Sequence, residues 1–373
     1  MNTFIVEMVV TEECNLACKY CYMKNIKSSN MTKETFDKFL ETIPIVMKKY
    51  ECSKYHVSFF GGEPLINWDL IEYAIPKLNL DKNLESQVII TNGLLLDDDK
   101  INFMKSHNTG FSLSFDGLWN KDIRPLVNGK SSLDQYKRKK DLFKKHNVNG
   151  CKVMISPQSL STLTENFKFF IEEMEIFHPD FTLVRDDIWS KDDIELYEKQ
   201  IKKLADTYID YINNGISCST GLFELYALDI IYGKKFGKRP FGCFAGVNGC
   251  GYMSDGIYYP CSRFGSERKF PIYDSNNRLM YHANIGILKR PSNTNPRENL
   301  ICKKCEIYKY CNSGCTYSQL KDNPETIVES IPIESVCELF KLTYEQVIRI
   351  SEILKNNKLY QSMLKYRINS KHI

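Results

Sequence analysis

The sequence predicts an α/β chain that forms a partial (β/α)6 barrel of the TIM type, followed by a small cysteine-rich domain and C-terminal helices. Six strand-like segments alternate with helix-like segments over residues 1–213, which is the pattern of a parallel sheet with helices outside it. Beyond residue 240 the periodicity weakens and cysteines crowd together. A segment of that kind is stabilised by bound metal more than by a packed core.

The first strand, FIVEMVVT at 4–11, runs directly into a loop that contains three cysteines. The next helix spans 31–50, with Thr32 as the candidate N-cap and Pro44 as a possible bend or break. Because six units cannot close an eight-fold barrel, we expect one open side, and functional residues at the carboxyl ends of the strands. The further strands are predicted at 55–64, 87–93, 110–117, 150–156 and 181–186, and the further helices at 68–79, 97–107, 130–146, 159–176 and 191–213.

The remaining chain is predicted in three parts. A helical linker covers 214–239, the cysteine-rich domain covers 240–345, and a C-terminal helix covers 346–373. The apolar periodicity of 340–367 fits one or two closing helices.

Composition narrows the class of protein. The 373 residues are 43% hydrophobic and 26% charged, which is typical of a globular chain, and the net charge of +4 is too small to predict a nucleic-acid partner. No apolar run approaches the roughly 18 residues that a membrane span needs, and the N-terminus has no signal-peptide pattern. We therefore expect a cytoplasmic protein without membrane contact, in which metal binding rather than disulfide formation is the leading explanation for so many cysteines, 14 in all.

The cysteines form two groups and three isolated residues. CNLACKYC, at 14–21, offers three thiolates, which can hold three irons of a [4Fe–4S] cluster and leave the fourth iron open to a small molecule. CKKCEIYKYCNSGC, at 302–315, belongs to a set large enough for two four-coordinate sites, and its spacing suits zinc and iron–sulfur clusters alike. The isolated Cys52, Cys151 and Cys218 are expected to be buried apolar residues.

CNLACKYC has the form CxxxCxΦC and resembles the cluster loop of the radical S-adenosylmethionine (SAM) superfamily. The resemblance implies that Cys14, Cys18 and Cys21 hold a [4Fe–4S] cluster whose open iron is chelated by SAM, with Tyr20 near the adenine. In that superfamily one electron from the cluster cleaves SAM to give a 5′-deoxyadenosyl radical, so the cofactors carry the chemistry and the protein positions them.

Further residues at strand ends match the SAM contacts of that superfamily. In GGEP, Gly61 and Gly62 resemble the SAM-binding turn, and Glu63 is expected to hold the loop rather than react. Asp116 and Arg124 are predicted SAM contacts as well. Asp116, which precedes Gly117, can alternatively be an ordinary turn residue, and Arg124 can alternatively form a surface salt bridge. The other predicted SAM contacts are Thr91, Asn92 and Ser114.

The cysteine-rich region resembles the SPASM domain of peptide- and protein-modifying maturases. It matches that pattern through G-x4-C at 256–261 and C-x2-C-x5-C-x3-C at 302–315. The resemblance implies two auxiliary [4Fe–4S] clusters, and thus three clusters in all. Cluster I would be held by Cys243, Cys250, Cys261 and Cys315, and cluster II by Cys302, Cys305, Cys311 and Cys337.

The two resemblances imply a maturase whose radical abstracts hydrogen from a ribosomally made precursor peptide and installs a cross-link. No single catalytic residue is indicated. In the related anaerobic sulfatase-maturing enzymes an Asp, thought to be a base, follows the cysteine of G-x4-C, whereas this chain has Ser262, a poor proton acceptor. This favours a cysteine thioether over formylglycine formation. Oxidation of a protein Cys or Ser to formylglycine, carbon–carbon cyclophane-type cross-linking, and a non-catalytic iron–sulfur or zinc module stay open as alternatives.

The resemblance also implies partners. These are the precursor peptide and an electron donor of the flavodoxin or ferredoxin type. Because the cluster loop begins at residue 14, we expect no leader-binding domain ahead of it. Recognition of the leader would then use the barrel and SPASM surfaces or a separate protein.

Overall fold

The computed structural model of the chain describes residues 3–23, 29–185, 189–224, 227–228, 231, 243–246, 248–273, 300–308, 310–311, 314–315, 317–318 and 333–369. Strands and helices alternate through the first 213 residues in the predicted order. Parts of the predicted linker at 214–239 and of the regions 240–345 and 346–373 lie outside the described residues.

The described strands are β1 (Thr3–Thr11), β2 (Lys54–Gly61), β3 (Leu84–Thr91), β4 (Gly110–Leu113), β5 (Gly150–Ile155), β6 (His178–Leu183), β7 (Gly249–Tyr252) and β8 (Tyr258–Tyr259). The described α-helices are α1 (Lys33–Lys49), α2 (Trp68–Asn79), α3 (Asp98–Ser106), α4 (Leu133–Arg138), α5 (Lys140–Lys145), α6 (Leu163–Lys168), α7 (Lys191–Asn213), α8 (Ser262–Ser266), α9 (Leu300–Lys303), α10 (Glu334–Leu354) and α11 (Lys358–Asn369).

The sheet confirms the partial barrel. Strands β1 to β4 are parallel neighbours, and β5 pairs in parallel with β6. A single parallel bridge between Ser114 and Lys152 continues the sheet from β4 toward β5. The carboxyl ends of β1 to β4 therefore meet at one rim, where the loops that carry the predicted site residues begin.

One face of β1 belongs to the buried core, which extends through the described strands and the helices packed on them. Phe4, Val6 and Met8 alternate along β1 and are fully buried, because side chains two residues apart share one face of a strand. The helix begins as predicted, with the Thr32 hydroxyl accepting a hydrogen bond of 3.2 Å from the Thr35 backbone N–H. Pro44 lies inside α1, and the helix continues through it instead of breaking.

Two predicted helices are interrupted. The segment 130–146 divides at Lys139, whose backbone N–H donates to the Tyr136 carbonyl three residues earlier, a 3-10 type bond that closes α4. The segment 159–176 is a 3-10 turn over Pro157–Thr162, then α6, then a π-helical turn over Phe169–Glu173. The fixed φ of Pro157 suits the first turn of a helix, which explains why the element starts there.

The cysteine-rich segment extends the barrel sheet. Strand β7 pairs in parallel with the free edge of β1, and β8 returns antiparallel to β7. Glycine is required here, because a Cβ on Gly249 would lie 2.6 Å from the Ile5 carbonyl oxygen and one on Gly251 would lie 2.5 Å from the Cys261 carbonyl carbon. The sequence does not predict this pairing.

Among the described helices, none has the length and apolar character that crossing a membrane requires. The cytoplasmic location stays a prediction.

Candidate active site

The cluster loop begins where β1 ends. Backbone N–H groups of Leu16 and Met23 donate to the sulfurs of Cys14 and Cys21, each at 3.4 Å. Burial raises the pKa of the Cys14 thiol to about 12, and the neighbouring Cys18 and Cys21 thiols add to that increase. A coordinated metal would remove such a proton outright. The structure therefore brings the three predicted ligands together on one loop.

The cluster loop pairs with the segment around Arg124. The Ala17 N–H donates to the Pro125 carbonyl at 2.8 Å, and the Lys19 N–H donates to the Ile123 carbonyl at 2.9 Å. An antiparallel bridge between Leu16 and Leu126 has the same register. By that register Cys18 lies directly opposite Arg124.

The GGEP turn is locked onto the cluster loop. The Gly62 N–H donates to the Thr11 carbonyl at 2.9 Å, and the Glu63 N–H donates to the Glu13 carbonyl at 2.7 Å. A Cβ on Gly61, whose φ is +149°, would lie 2.1 Å from the Thr11 carbonyl oxygen, and one on Gly62 would lie 2.2 Å from that of Glu13. Both glycines are thus needed for close contact with the loop that bears the cysteines.

Glu63 is buried and ties the turn to the end of β3. Its carboxylate accepts hydrogen bonds from the Leu65 N–H at 3.1 Å, the Thr91 hydroxyl at 2.7 Å and the Asn92 N–H at 2.7 Å. Burial raises the pKa of this carboxyl, and the three donors act in the opposite direction. Glu63, Thr91 and Asn92 therefore form one buried unit.

Asn92 also reaches the cluster loop. Its side-chain amide donates to the Asn15 side-chain oxygen at 2.7 Å, and its backbone carbonyl accepts from the Tyr136 hydroxyl at 2.7 Å. Ser114, half-buried, donates its backbone N–H to the Thr91 carbonyl at 2.8 Å. These bonds place both residues at the rim where β3 and β4 end.

Asp116, Tyr20 and Arg124 form a buried group. The Tyr20 hydroxyl donates to Asp116 at 2.5 Å, and the Arg124 guanidinium lies 3.4 Å from the other carboxylate oxygen and 3.3 Å from the Tyr20 hydroxyl. That oxygen also accepts from the Met154 N–H at 2.9 Å. Burial raises the pKa of the Asp116 carboxyl, and the Arg124 charge opposes the rise. Arg124 is 6% exposed, so a surface salt bridge does not describe it.

The residues present fit SAM and a cluster. The Arg124 Nε atom is buried without a hydrogen-bond partner, and a carboxylate-bearing ligand such as SAM would satisfy it. The three thiols of the cluster loop are soft ligands of the kind that iron–sulfur clusters take.

The other cysteines fall into two sets. The Cys337 thiol, whose pKa burial raises to about 11, is near enough to Cys302, Cys305 and Cys311 for their charges to raise it further. These are the four residues predicted for cluster II. Among the described residues no three His, Cys, Asp or Glu side chains converge closely enough for a single metal ion. The thiols of a [4Fe–4S] cluster attach to separate irons.

The set predicted for cluster I is only partly assembled. Burial raises the pKa of Cys261, and Cys243 and Cys315 are close enough to add to it. Cys250 lies in β7 opposite Val6, on the same face as Tyr252, which packs on Phe39 of α1. The opposite face of β7 contacts the Cys261 backbone through Gly251. The structure thus orients Cys250 toward α1, and its role as a ligand stays a prediction.

Glu7 is a site residue that the sequence does not indicate. Its carboxylate accepts a hydrogen bond of 2.8 Å from the Ser262 N–H, and the Ser262 hydroxyl shares a 2.9 Å hydrogen bond with that of Tyr22. The Arg263 guanidinium stacks 4.6 Å from the centre of the Tyr22 ring. Burial raises the pKa of the Glu7 carboxyl, and the hydrogen bonds from Ser262 oppose the rise. A polar residue in an alternating strand carries no sequence signal of function, because only the fold brings Glu7 to Ser262.

Comparison with known proteins agrees with this site. Residues 8–157 match the family model of the Radical SAM superfamily. The chain is 24% identical to the radical SAM cyclopropyl synthase TigE of Paramaledivibacter caminithermalis, over 92% of this chain and 73% of that protein. It is also 24% identical to the cysteine-type anaerobic sulfatase-maturating enzyme of Clostridium perfringens, over 92% of this chain and 96% of that protein.

A solved structure shares the fold. Histidine-tagged anSMEcpe with bound AdoMet superposes with a TM-score of 0.74 at 21% identity, covering 98% of this chain and 99% of that one. The match to the family model spans the cluster loop, the GGEP turn and the Tyr20–Asp116–Arg124 group. Residues 8–157 are therefore a radical SAM domain.

Proposed function

We propose that this protein is a maturase that modifies a ribosomally made precursor peptide. The radical SAM domain at residues 8–157 implies SAM and a [4Fe–4S] cluster, which together would supply a 5′-deoxyadenosyl radical when bound. The main observation in support of the proposal is that hydrogen bonds hold the cluster loop, the GGEP turn and the segment around Arg124 together at the rim of the barrel. Relatives that span nearly the whole of this chain are maturating enzymes and a cyclopropyl synthase, which supports a peptide or protein substrate.

The residues at the rim would bind and orient SAM. The Arg124 guanidinium, held by Asp116, would pair with the SAM carboxylate. Tyr20 would lie beside the adenine, and Gly61, Gly62, Thr91, Asn92 and Ser114 would line the remaining surface. Abstraction of one hydrogen from the peptide, followed by loss of an electron and a proton, would close a cross-link. We favour a cysteine thioether, with a carbon–carbon link as the alternative.

Two auxiliary [4Fe–4S] clusters would take up the electron, giving three clusters in all. Cluster II would use Cys302, Cys305, Cys311 and Cys337, and cluster I would use Cys243, Cys261, Cys315 and the predicted Cys250. A flavodoxin or ferredoxin would supply the initiating electron. A separate protein could present the leader.

The test is anaerobic reaction of the reconstituted protein with SAM, dithionite and short cysteine-containing peptides encoded beside its gene. The proposal predicts release of 5′-deoxyadenosine and a peptide lighter by two hydrogens for each cross-link. A peptide of unchanged mass in the presence of 5′-deoxyadenosine release would contradict the cross-linking proposal.

The double variant Cys302→Ala/Cys311→Ala tests the division between the clusters. It should lose about four irons and peptide modification, because it leaves cluster II only two of its four thiolates, fewer than the three that hold the first cluster. Release of 5′-deoxyadenosine from SAM should continue, since Cys14, Cys18 and Cys21 are untouched. Iron analysis and chromatography of the reaction measure both. Loss of 5′-deoxyadenosine release at full occupancy of the first cluster would argue against separate roles.

Oxidation of a protein side chain to formylglycine is the second candidate. It is favoured by Glu7, because a buried carboxylate reaches Ser262 although the sequence has no Asp at that position. Incubation with a sulfatase-derived cysteine peptide would give an aldehyde that reacts with hydrazine probes. The variant Glu7→Gln should then slow aldehyde formation at least tenfold.

A further inference from the structure

We propose that Arg124 sets the reduction potential of the cluster held by Cys14, Cys18 and Cys21, acting through its position directly opposite Cys18. The inference rests on the proposed cluster of the first site and is independent of which peptide is modified. It assigns Arg124 a role in reduction of the cluster, in addition to contact with SAM.

The register of the cluster loop places the two residues together. Hydrogen bonds from Ala17 to Pro125 and from Lys19 to Ile123 flank the pair formed by Cys18 and Arg124. In an antiparallel pairing this is a position without its own hydrogen bonds, where the Cα atoms are about 4.5 Å apart and both side chains leave on one face. Tyr20, in the turn that follows Cys18, accepts a hydrogen bond from the Arg124 guanidinium at 3.3 Å.

The charge is permanent and poorly screened. Arginine stays protonated at any pH at which the protein is folded, and Arg124 is only 6% exposed. Asp116 holds the guanidinium at 3.4 Å and opposes part of its charge. From its position opposite Cys18, the Arg124 charge would stabilise additional negative charge on a cluster bound there.

Reduction of the cluster takes one electron from an external donor, with no bond or proton transferred. Because the reduced cluster is more negative by one charge, a nearby cation raises the reduction potential. Removing the cation should make the cluster harder to reduce. Arg124 would thus help a cellular donor of limited reducing power to start the reaction.

The test measures the potential of the first cluster by redox titration with electron paramagnetic resonance detection, without SAM or peptide. A background that removes two thiolates from each auxiliary cluster, with Cys261→Ala, Cys315→Ala, Cys302→Ala and Cys311→Ala, keeps only this cluster and avoids overlapping signals. In Arg124→Gln we expect the ratio of reduced to oxidised cluster at fixed potential to fall about tenfold, which is about 59 mV for one electron. Arg124→Lys, which keeps the charge, should stay within about twofold of the unmodified residue.

Two further variants keep the outcome decisive. Arg138→Gln removes an exposed charge on α4 and should leave the ratio unchanged. Arg124→Gln combined with Asp116→Asn removes both members of the buried ion pair, and should still lower the ratio because Arg124 is the one of the two that lies directly opposite Cys18. An unchanged ratio in Arg124→Gln, or an equal loss in Arg124→Lys, would overturn the inference while leaving the proposed function intact. A protein with no reducible cluster at this loop would overturn both.

Discussion

Replacement of Cys18 by alanine should abolish release of 5′-deoxyadenosine from SAM. The three thiols of the cluster loop are the smallest set that can hold a [4Fe–4S] cluster with one open iron, so loss of any one removes the site. The unmodified protein should be brown and carry about twelve irons if all three clusters form, and the variant about eight. Iron analysis and chromatography of the dithionite-driven reaction measure both quantities.

Cys52→Ala is the matched control. Cys52 is also buried, but its thiol donates to the Tyr50 carbonyl at 3.4 Å and lies on none of the cluster-binding loops. We expect this variant to keep its iron and its activity. Continued 5′-deoxyadenosine release by Cys18→Ala would contradict the assignment of the first cluster, and a colourless, air-stable zinc protein would favour a non-catalytic module.

Gly62→Ala should cost at least about 2 kcal/mol of folding stability and should abolish SAM binding. The added Cβ would lie 2.2 Å from the Glu13 carbonyl oxygen and 2.5 Å from its carbon, and both are backbone atoms that no rotamer change can clear. The turn and the cluster loop would have to separate, which would break the hydrogen bond from Glu63 to Glu13. Urea unfolding and equilibrium dialysis with SAM measure the two effects.

Gly110→Ala provides the comparison for that substitution. A Cβ at Gly110 would meet only the Val88 side chain, at 3.9 Å, so its stability should stay within about 0.5 kcal/mol of the unmodified protein. If both alanine variants bound SAM equally well, the contact between the GGEP turn and the cluster loop would not matter for the site.

The sequence predicts the barrel well because each of its strands and helices has a recognisable local pattern. Each β-branched strand and each amphipathic helix is readable within its own segment, and the cysteine loop, GGEP and TNG all follow strands. The partners of individual side chains are less predictable. The sequence allows Asp116 either at the ligand or in a simple turn, yet its carboxylate bonds to Tyr20, Arg124 and Met154. The contacts with Tyr20 and Met154 join positions far apart in sequence, so no local pattern reveals them.

The edge of the sheet shows the same limit. Strand β7 has the sequence GCGY, which has neither β-branched residues nor alternation, and only its pairing with β1 makes it a strand. The same pairing brings Glu7 to Ser262 and turns Cys250 toward α1. Tertiary pairing thus decides which residues of the cysteine-rich segment can act together.

Transfer of deuterium from a labelled peptide to 5′-deoxyadenosine tests the central proposal most directly. The precursor peptide would be synthesised with deuterium at the carbons of its candidate residues and reacted anaerobically with SAM, dithionite and the reconstituted protein. If the protein is a peptide-modifying radical SAM enzyme, the released 5′-deoxyadenosine should gain one deuterium and the peptide should lose two hydrogens for each cross-link. Unlabelled 5′-deoxyadenosine released beside an unchanged peptide would contradict it.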